Sequence, residues 1–161
     1  MSGAASMTTL FGTALRDWLA GDWRIERRID DRSAGEASDF TGEATFAPDG
    51  PAALLYRESG TLRNGGRVLR ATQSHRWTFT ASGAEVAFAD GRPFHAVAPV
   101  GRNAEALHDC PPDLYRVRYR FETPERWRQT WHVTGPRKDY TLESLFTRLR
   151  PAALPVKGPR D

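Results

Sequence analysis

The sequence predicts an all-β fold, an antiparallel up-and-down barrel with a short N-terminal helix plugging one end. Three observations predict it. Apolar residues alternate at period two along most of the chain. The alternating runs are broken by Gly, Pro, Asn and Asp clusters at hairpin spacing. One stretch near the N-terminus keeps helical spacing instead. About nine or ten strands in so small a domain must curl or split to bury an apolar face, and closure also removes exposed edges. A two-sheet sandwich is the alternative.

Residues 1–7 are small and polar and are expected to be disordered. A helix is expected from Thr8 or Thr9, capped by Thr, with Phe11, Leu15, Trp18 and Leu19 on one face and Gly21 as its stop. The first strand carries Trp23, Ile25, Arg27 and Ile29 in one phase. The second carries Phe40, Gly42, Ala44 and Phe46 and ends at Pro48-Asp49-Gly50-Pro51. Leu54, Tyr56, Glu58 and Leu62 make the third, up to Asn64-Gly65-Gly66. Leu69, Ala71, Gln73, His75, Trp77 and Phe79 make the fourth, up to Ser82-Gly83. Val86, Phe88 and Asp90 form a short strand before Gly91. Phe94 to Val97 and Ala104 to Cys110 are two more, around a loop at Pro99–Asn103. Tyr115, Val117, Tyr119 and Phe121 alternate with Arg116, Arg118 and Arg120. Trp127, Gln129, Trp131 and Val133 follow, then the Gly135-Pro136 turn and a last strand from Tyr140 to Arg150. The barrel domain is expected to span residues 8–150, and the three prolines of 151–161 mark a loose tail.

Composition narrows the class. Five Trp, four Tyr and eight Phe are too many apolar anchors for a disordered chain. Cys110 has no partner, which excludes a disulfide scaffold. The chain has no run near twenty apolar residues and no basic start before an apolar stretch. A cytoplasmic protein with no membrane partner is therefore expected. Lys+Arg 23 against Asp+Glu 20 gives a net charge of +3, nearly all of the positive charge being arginine. Spread along the chain, this weak excess argues against a nucleic-acid footprint, which should cluster. Genomic base composition accounts for it more simply.

Gly21-Asp22-Trp23 opens the first strand directly after the helix, and Arg148 stands near the end of the last. This placement resembles the calycins, the lipocalin and fatty-acid-binding-protein superfamily. The resemblance implies a calycin-like barrel in which Gly21, Trp23 and Arg148 close one end. An indole face beneath a guanidinium is a cation–π contact that also shields the barrel floor. The segments Asp90–His95, His108–Tyr115 and Trp131–Tyr140 together are similar to an uncharacterised bacterial family, domain of unknown function 6314, over about Gly21 to Arg150. That resemblance implies a fold and supplies no activity.

If the apolar phase of each strand faces a lumen, polar residues go in with it: Arg27, Tyr56, Glu58, Gln73, His75 and Asp90 from the first half. His108, Cys110, Tyr115, Tyr119, Gln129 and Tyr140 follow from the second. Unpaired, each would cost about 1–3 kcal/mol, so they must bond one another, water or a ligand. The two readings are an internal network around water and a pocket for an amphipathic or aromatic small molecule. In the second, Trp77, Phe88, Trp127 and Trp131 form aromatic walls. Tyr56, His75, Arg92, His95, His108, Cys110, Tyr115, Arg137 and Tyr140 are then the candidate polar contacts. Arg92 and His95 are placed at the mouth facing an anionic group, and Arg137 with Lys138 on a basic gate hairpin. The simpler reading of each is a solvated turn, with Asp90 capping backbone donors.

An enzyme is the alternative. His75 or His108 would be the base, oriented by Glu58 or Asp90. His108 and Cys110, two apart on one strand face, could join His95 in a metal site, but two ligands at that spacing are half a site. No metal or other cofactor is required by the sequence. Haem, ligated by barrel histidines, is a third possibility, and a partner-binding face along Arg116, Arg118 and Arg120 a fourth.

Overall fold

The computed structural model describes residues 12–149. Thr8, Thr9, Phe11 and Arg150, together with the expected disordered start and loose tail, lie outside these residues. Helix α1 (Gly12–Leu19) leads into ten strands: β1 (Gly21–Asp31), β2 (Glu36–Pro48), β3 (Ala53–Asn64), β4 (Arg67–Thr80) and β5 (Gly83–Phe88). Then come β6 (Pro93–Val97), β7 (Asn103–Cys110), β8 (Asp113–Thr123), β9 (Arg126–Thr134) and β10 (Asp139–Arg148). The one described helix is too short to cross a membrane.

All ten strands belong to one antiparallel sheet, in the order β6-β5-β4-β3-β2-β1-β10-β9-β8-β7. The first and last strands pair along most of their length, from Trp23 opposite Arg148 to Asp31 opposite Tyr140. The sheet therefore curls into an up-and-down barrel, as the alternation predicts. Closure is incomplete: β6 and β7 lie side by side without a ladder between them. The reason is local. β6 is five residues long and begins with Pro93, which has no backbone N–H to donate.

The plug is built from the residues the alternation switches on. Leu15 and Leu19 of α1 are fully buried, as are Trp23 and Ile25 of β1. The Trp23 indole N–H donates to the Leu19 carbonyl at 2.9 Å. Arg148 lies over the Trp23 ring, 4.2 Å from its centroid. Its guanidinium donates to the carbonyls of Trp18 (2.7 Å) and Ala20 (2.9 Å), orphan acceptors at a helix C-terminus, and to Pro124 (3.0 Å). Gly21 has φ +119°, and a Cβ there would stand 2.9 Å from an Arg148 nitrogen. The Gly-x-Trp and the arginine are thus one packing unit. Trp127 and Phe146 stack above it at 3.8 Å, with Phe121 alongside.

Two departures from strict alternation shape the interior. β5 stops at Phe88, so Asp90 belongs to a turn and not to an inward strand face. Where β5 meets β6 the register slips: Val86 pairs with His95 and Ala87 with Pro93, leaving Phe94 as the extra residue of a bulge. Phe94 and His95, neighbours in sequence, consequently both face the lumen.

Candidate functional site

Beyond the plug layer a cavity of about 220 Å³ remains inside the barrel. Its apolar walls come from Trp77, Phe88, Phe94, Trp127 and Trp131. Phe94 and Trp131 stack nearly parallel, 5.1 Å apart across the β6–β7 seam. The seam has no ladder, and Phe94 of β6 crosses it with side-chain contacts to Trp131 of β9 and to His108 of β7, at 5.2 Å.

A charged pair sits at one side of the cavity. Arg27 follows buried Ile25 on the inward face of β1 and meets Glu58 of β3 in a two-pronged ion pair, at 2.7 and 3.1 Å. Arg27 Nε donates to Ser144 Oγ of β10 at 2.6 Å, and the Tyr56 hydroxyl donates to Glu58. Glu58 and Ser144 are both buried. Burial alone would lower the Arg27 pKa; the bond and charge of Glu58 outweigh it and hold the guanidinium above its ordinary value. Burial, then the Glu58 charge, pushes the Tyr56 phenol well up. Both groups keep their protons at neutral pH.

The opposite side carries a hydrogen-bond chain. Gln129 donates from Nε2 to the Tyr119 hydroxyl at 3.2 Å, which bonds His95 Nε2 at 2.8 Å. Burial, then the neighbouring His75 and His108, drives the His95 pKa down to about 3, so its imidazole is neutral. Burial likewise lowers His75, against the pull of Glu58. At the rim, Lys138 donates to the Tyr115 hydroxyl at 3.2 Å and pairs with Asp113 at 3.0 Å. Those two partners raise its pKa.

Of the residues expected around a lumen site, Tyr56, His75, Trp77, His95, Tyr115, Trp131 and Tyr140 line the cavity. Others do not. Cys110 is exposed at the end of β7, past the last inward-packed position, so it stands on no pocket wall. Arg92 is turned outward, bonded to Asp90 and stacked on Phe88, and Asp90 caps the Arg92 backbone N–H. The solvated-turn reading of that segment is the one observed. Arg137 is exposed, while its neighbour Lys138 is held at the rim. His108 is half-buried and packs edge-on against Phe94 at 5.2 Å.

The acid–base constellations of the enzyme reading are not assembled. His75 stands opposite Tyr56 in the β3–β4 register, and Glu58 stands opposite Gln73. Glu58 is taken by Arg27 and Tyr56, and Asp90 by Arg92. Among the described residues, no three His, Cys, Asp or Glu side chains converge as metal ligands, which removes the set of His95, His108 and Cys110. The arginine row of β8 is outside, with Arg118 3.6 Å from Glu105. Phe94 is a lining residue that alternation misses; Pro93, two residues after Gly91, is the available signal of irregular pairing.

The chain belongs to the family of unknown function DUF6314, whose sequence profile matches residues 19–148. No curated protein matches it. Among solved structures, it is similar to the S-type phycobiliprotein lyase CPES from Guillardia theta. That match has 10% identity and a TM-score of 0.65, and covers 92% of this chain and 97% of that one. The redesigned β-barrel mFAP1, solved bound to DFHBI, matches at 18% identity and a TM-score of 0.43, over 83% and 98% of the two chains. A DUF3598-family protein of unknown function from Nostoc punctiforme matches at 13% and 0.48, covering 82% of this chain and 47% of that one. At these identities the likeness to the lyase is one of fold: a calycin-like, lipocalin-type barrel with a short N-terminal helix.

Proposed function

We propose that the barrel binds a small, largely aromatic molecule in its lumen. One observation carries the reading: a cavity of about 220 Å³ lies inside a barrel whose plug end is packed solid, and aromatic and polar side chains converge on it. An apolar cavity of about 150 Å³ is enough to hold benzene, so the space accommodates one or two rings. Indole and phenyl faces supply flat contact area, and Tyr56, His75, Tyr119, Gln129 and Tyr140 supply the few polar groups that fix an orientation. Binding would be enclosure between Trp131, Phe94 and Trp77, with His75 and His95 as polar anchors and Tyr115 and Tyr140 at the rim.

The likeness to the phycobiliprotein lyase supports the barrel and contributes no activity to this chain. The acid–base reading through His75 or His108 is the weaker one, because its two orienting carboxylates, Glu58 and Asp90, are held by Arg27 and Arg92. Native mass spectrometry of freshly purified protein tests the proposal. A co-purified mass released on denaturation supports it. A protein that carries none and gives no chemical-shift change at cavity residues with any one- or two-ring probe overturns it.

A further inference from the structure

We propose that the open edge of β4 takes up an extended, acidic segment of a partner protein as an added strand. The backbone, the side chains and the charge of residues 67–74 all point to it.

β4 pairs with β3 from Arg67 to Thr78, but with β5 only from His75 to Thr80. Among the described residues, no strand pairs with the other side of residues 67–74. The cause is length: β5 has six residues and β4 fourteen. Which backbone groups this leaves open follows from one bond. The Phe79 N–H donates to the Ala52 carbonyl at 2.8 Å. The β3–β4 register runs without a shift, so the odd-numbered residues of β4 turn their backbone groups to β3. Val68, Arg70 and Thr72 turn theirs the other way. Each offers an N–H and a C=O that have no partner among the described residues. Proteins ordinarily blunt such an edge with a proline, a bulge, a cover or charge. Residues 67–74 contain no proline and no bulge, and charge is the device that is present.

That charge selects the partner. The outward positions of β3 and β4 hold Arg57, Arg63, Arg70 and Arg76 and no carboxylate. Arg76 is paired with Asp49, whereas Arg67 and Arg70 have no ion-pair partner among the described residues. A second copy of the chain added at this edge would bring the same arginines against them, and like charges across a ladder are destabilising. The arginines therefore exclude self-pairing and admit a strand with carboxylates on its outer face. Val68 and Leu69 are 61% and 47% exposed, and Leu69 and Ala71 offer an apolar inner face. The segment that fits alternates acidic and apolar residues, and its own backbone completes the ladder. Nucleic acid would satisfy the arginines but brings no strand to Val68, Arg70 and Thr72.

Four end-labelled eight-residue peptides, titrated into the full chain by fluorescence anisotropy, test this. They are alternating Glu-Val, alternating Lys-Val, and alternating Glu-Val N-methylated at every Glu or at every Val. The Glu-Val peptide is expected to bind, and the Lys-Val peptide to bind at least about tenfold more weakly. N-methylation removes the donors along one edge of a strand. One methylated peptide should therefore lose about tenfold or more while the other keeps its affinity. Amide hydrogen exchange at Val68, Arg70 and Thr72 should slow when the Glu-Val peptide is added. Thr72→Pro removes an open-side N–H and leaves the β3 ladder intact, so it should abolish binding. Arg67→Glu with Arg70→Glu should reverse the preference in favour of the Lys-Val peptide, and it carries the test if the proline variant does not fold. No binding of the Glu-Val peptide overturns the proposal, as does equal affinity of the Glu-Val and Lys-Val peptides or of the two methylated ones. Tighter binding of an eight-residue oligothymidylate also overturns it. A dimer in sedimentation that Thr72→Pro dissolves overturns it too, and gives the edge to a second copy.

Discussion

Arg27 and Glu58, from strands separated by β2, meet inside the barrel in a bidentate ion pair that neither shares with solvent. Their side chains are 9% and 5% exposed, so each charge depends on the other for its solvation. Such a pair contributes little net stability over a well-packed apolar replacement, but removing one partner strands the other.

Glu58→Ala is therefore expected to destabilise the protein by about 3–5 kcal/mol in urea denaturation, and Arg27→Met with Glu58→Leu to recover most of that loss. A double variant as unstable as Glu58→Ala would show that packing, and not the stranded charge, sets the cost.

At the plug, Arg148→Lys should not be conservative. Lysine can reach one carbonyl as a point charge, but it cannot fork to Trp18 and Ala20 while lying flat on Trp23. A loss of about 1.5–3 kcal/mol is expected, the scale of one hydrogen bond to a charged group. Gly21→Ala should cost about 1–3 kcal/mol through its positive φ and the contact with Arg148. Thermal melts followed by tryptophan fluorescence measure both.

The low pKa of His95 makes stability fall with acid. An unfolded chain takes up a proton at this histidine near its ordinary pKa of 6.5, whereas the folded chain resists until about pH 3. Above pH 6.5 both states are neutral there and the effect vanishes. Between 6.5 and about 3 it removes up to about 1.4 kcal/mol per pH unit. The difference between wild type and His95→Gln, followed by urea denaturation across that window, should show this slope. Parallel curves would rule it out.

Outside the lumen, Arg92→Gln and Arg137→Gln should leave the affinity for a neutral two-ring probe such as naphthalene unchanged and stability within about 0.5 kcal/mol. Trp131→Ala should abolish binding of that probe by removing the wall stacked on Phe94. Calorimetric titration of the three variants decides it, and a loss of affinity in either arginine variant would return an anion-recognising mouth to consideration.

Much of the barrel is legible in the sequence because period-two alternation is the direct imprint of a sheet with one buried face. The pairing of Trp23 with Arg148 is what the resemblance to the calycins implies, and the register sets the two residues opposite each other. The inward phase of Tyr56, His75 and Tyr119 follows from the same rule. What alternation cannot supply is where it stops. It runs past Phe88 to Asp90, although the chain has already turned, and on to Cys110, although the lumen has ended. Nor does it report register: the Glu58 partner is Arg27, two strands away, and not His75 on the next strand. A bulge breaks the phase outright, so alternation does not set both Phe94 and His95 in the lumen.

The placement of the β6–β7 seam also bears on how the chain reaches its native state. Every ladder except β1–β10 joins strands adjacent in sequence. Two meanders, β1 to β6 and β7 to β10, can therefore assemble through local hairpins on either side of residues 98–102. One long-range event, β1 zipping onto β10, turns them into a barrel. Loop-closure entropy is concentrated in that step, so it is expected to set the folding rate. The same arrangement makes residues 98–102 the natural point at which the chain could be divided and reassembled from two fragments.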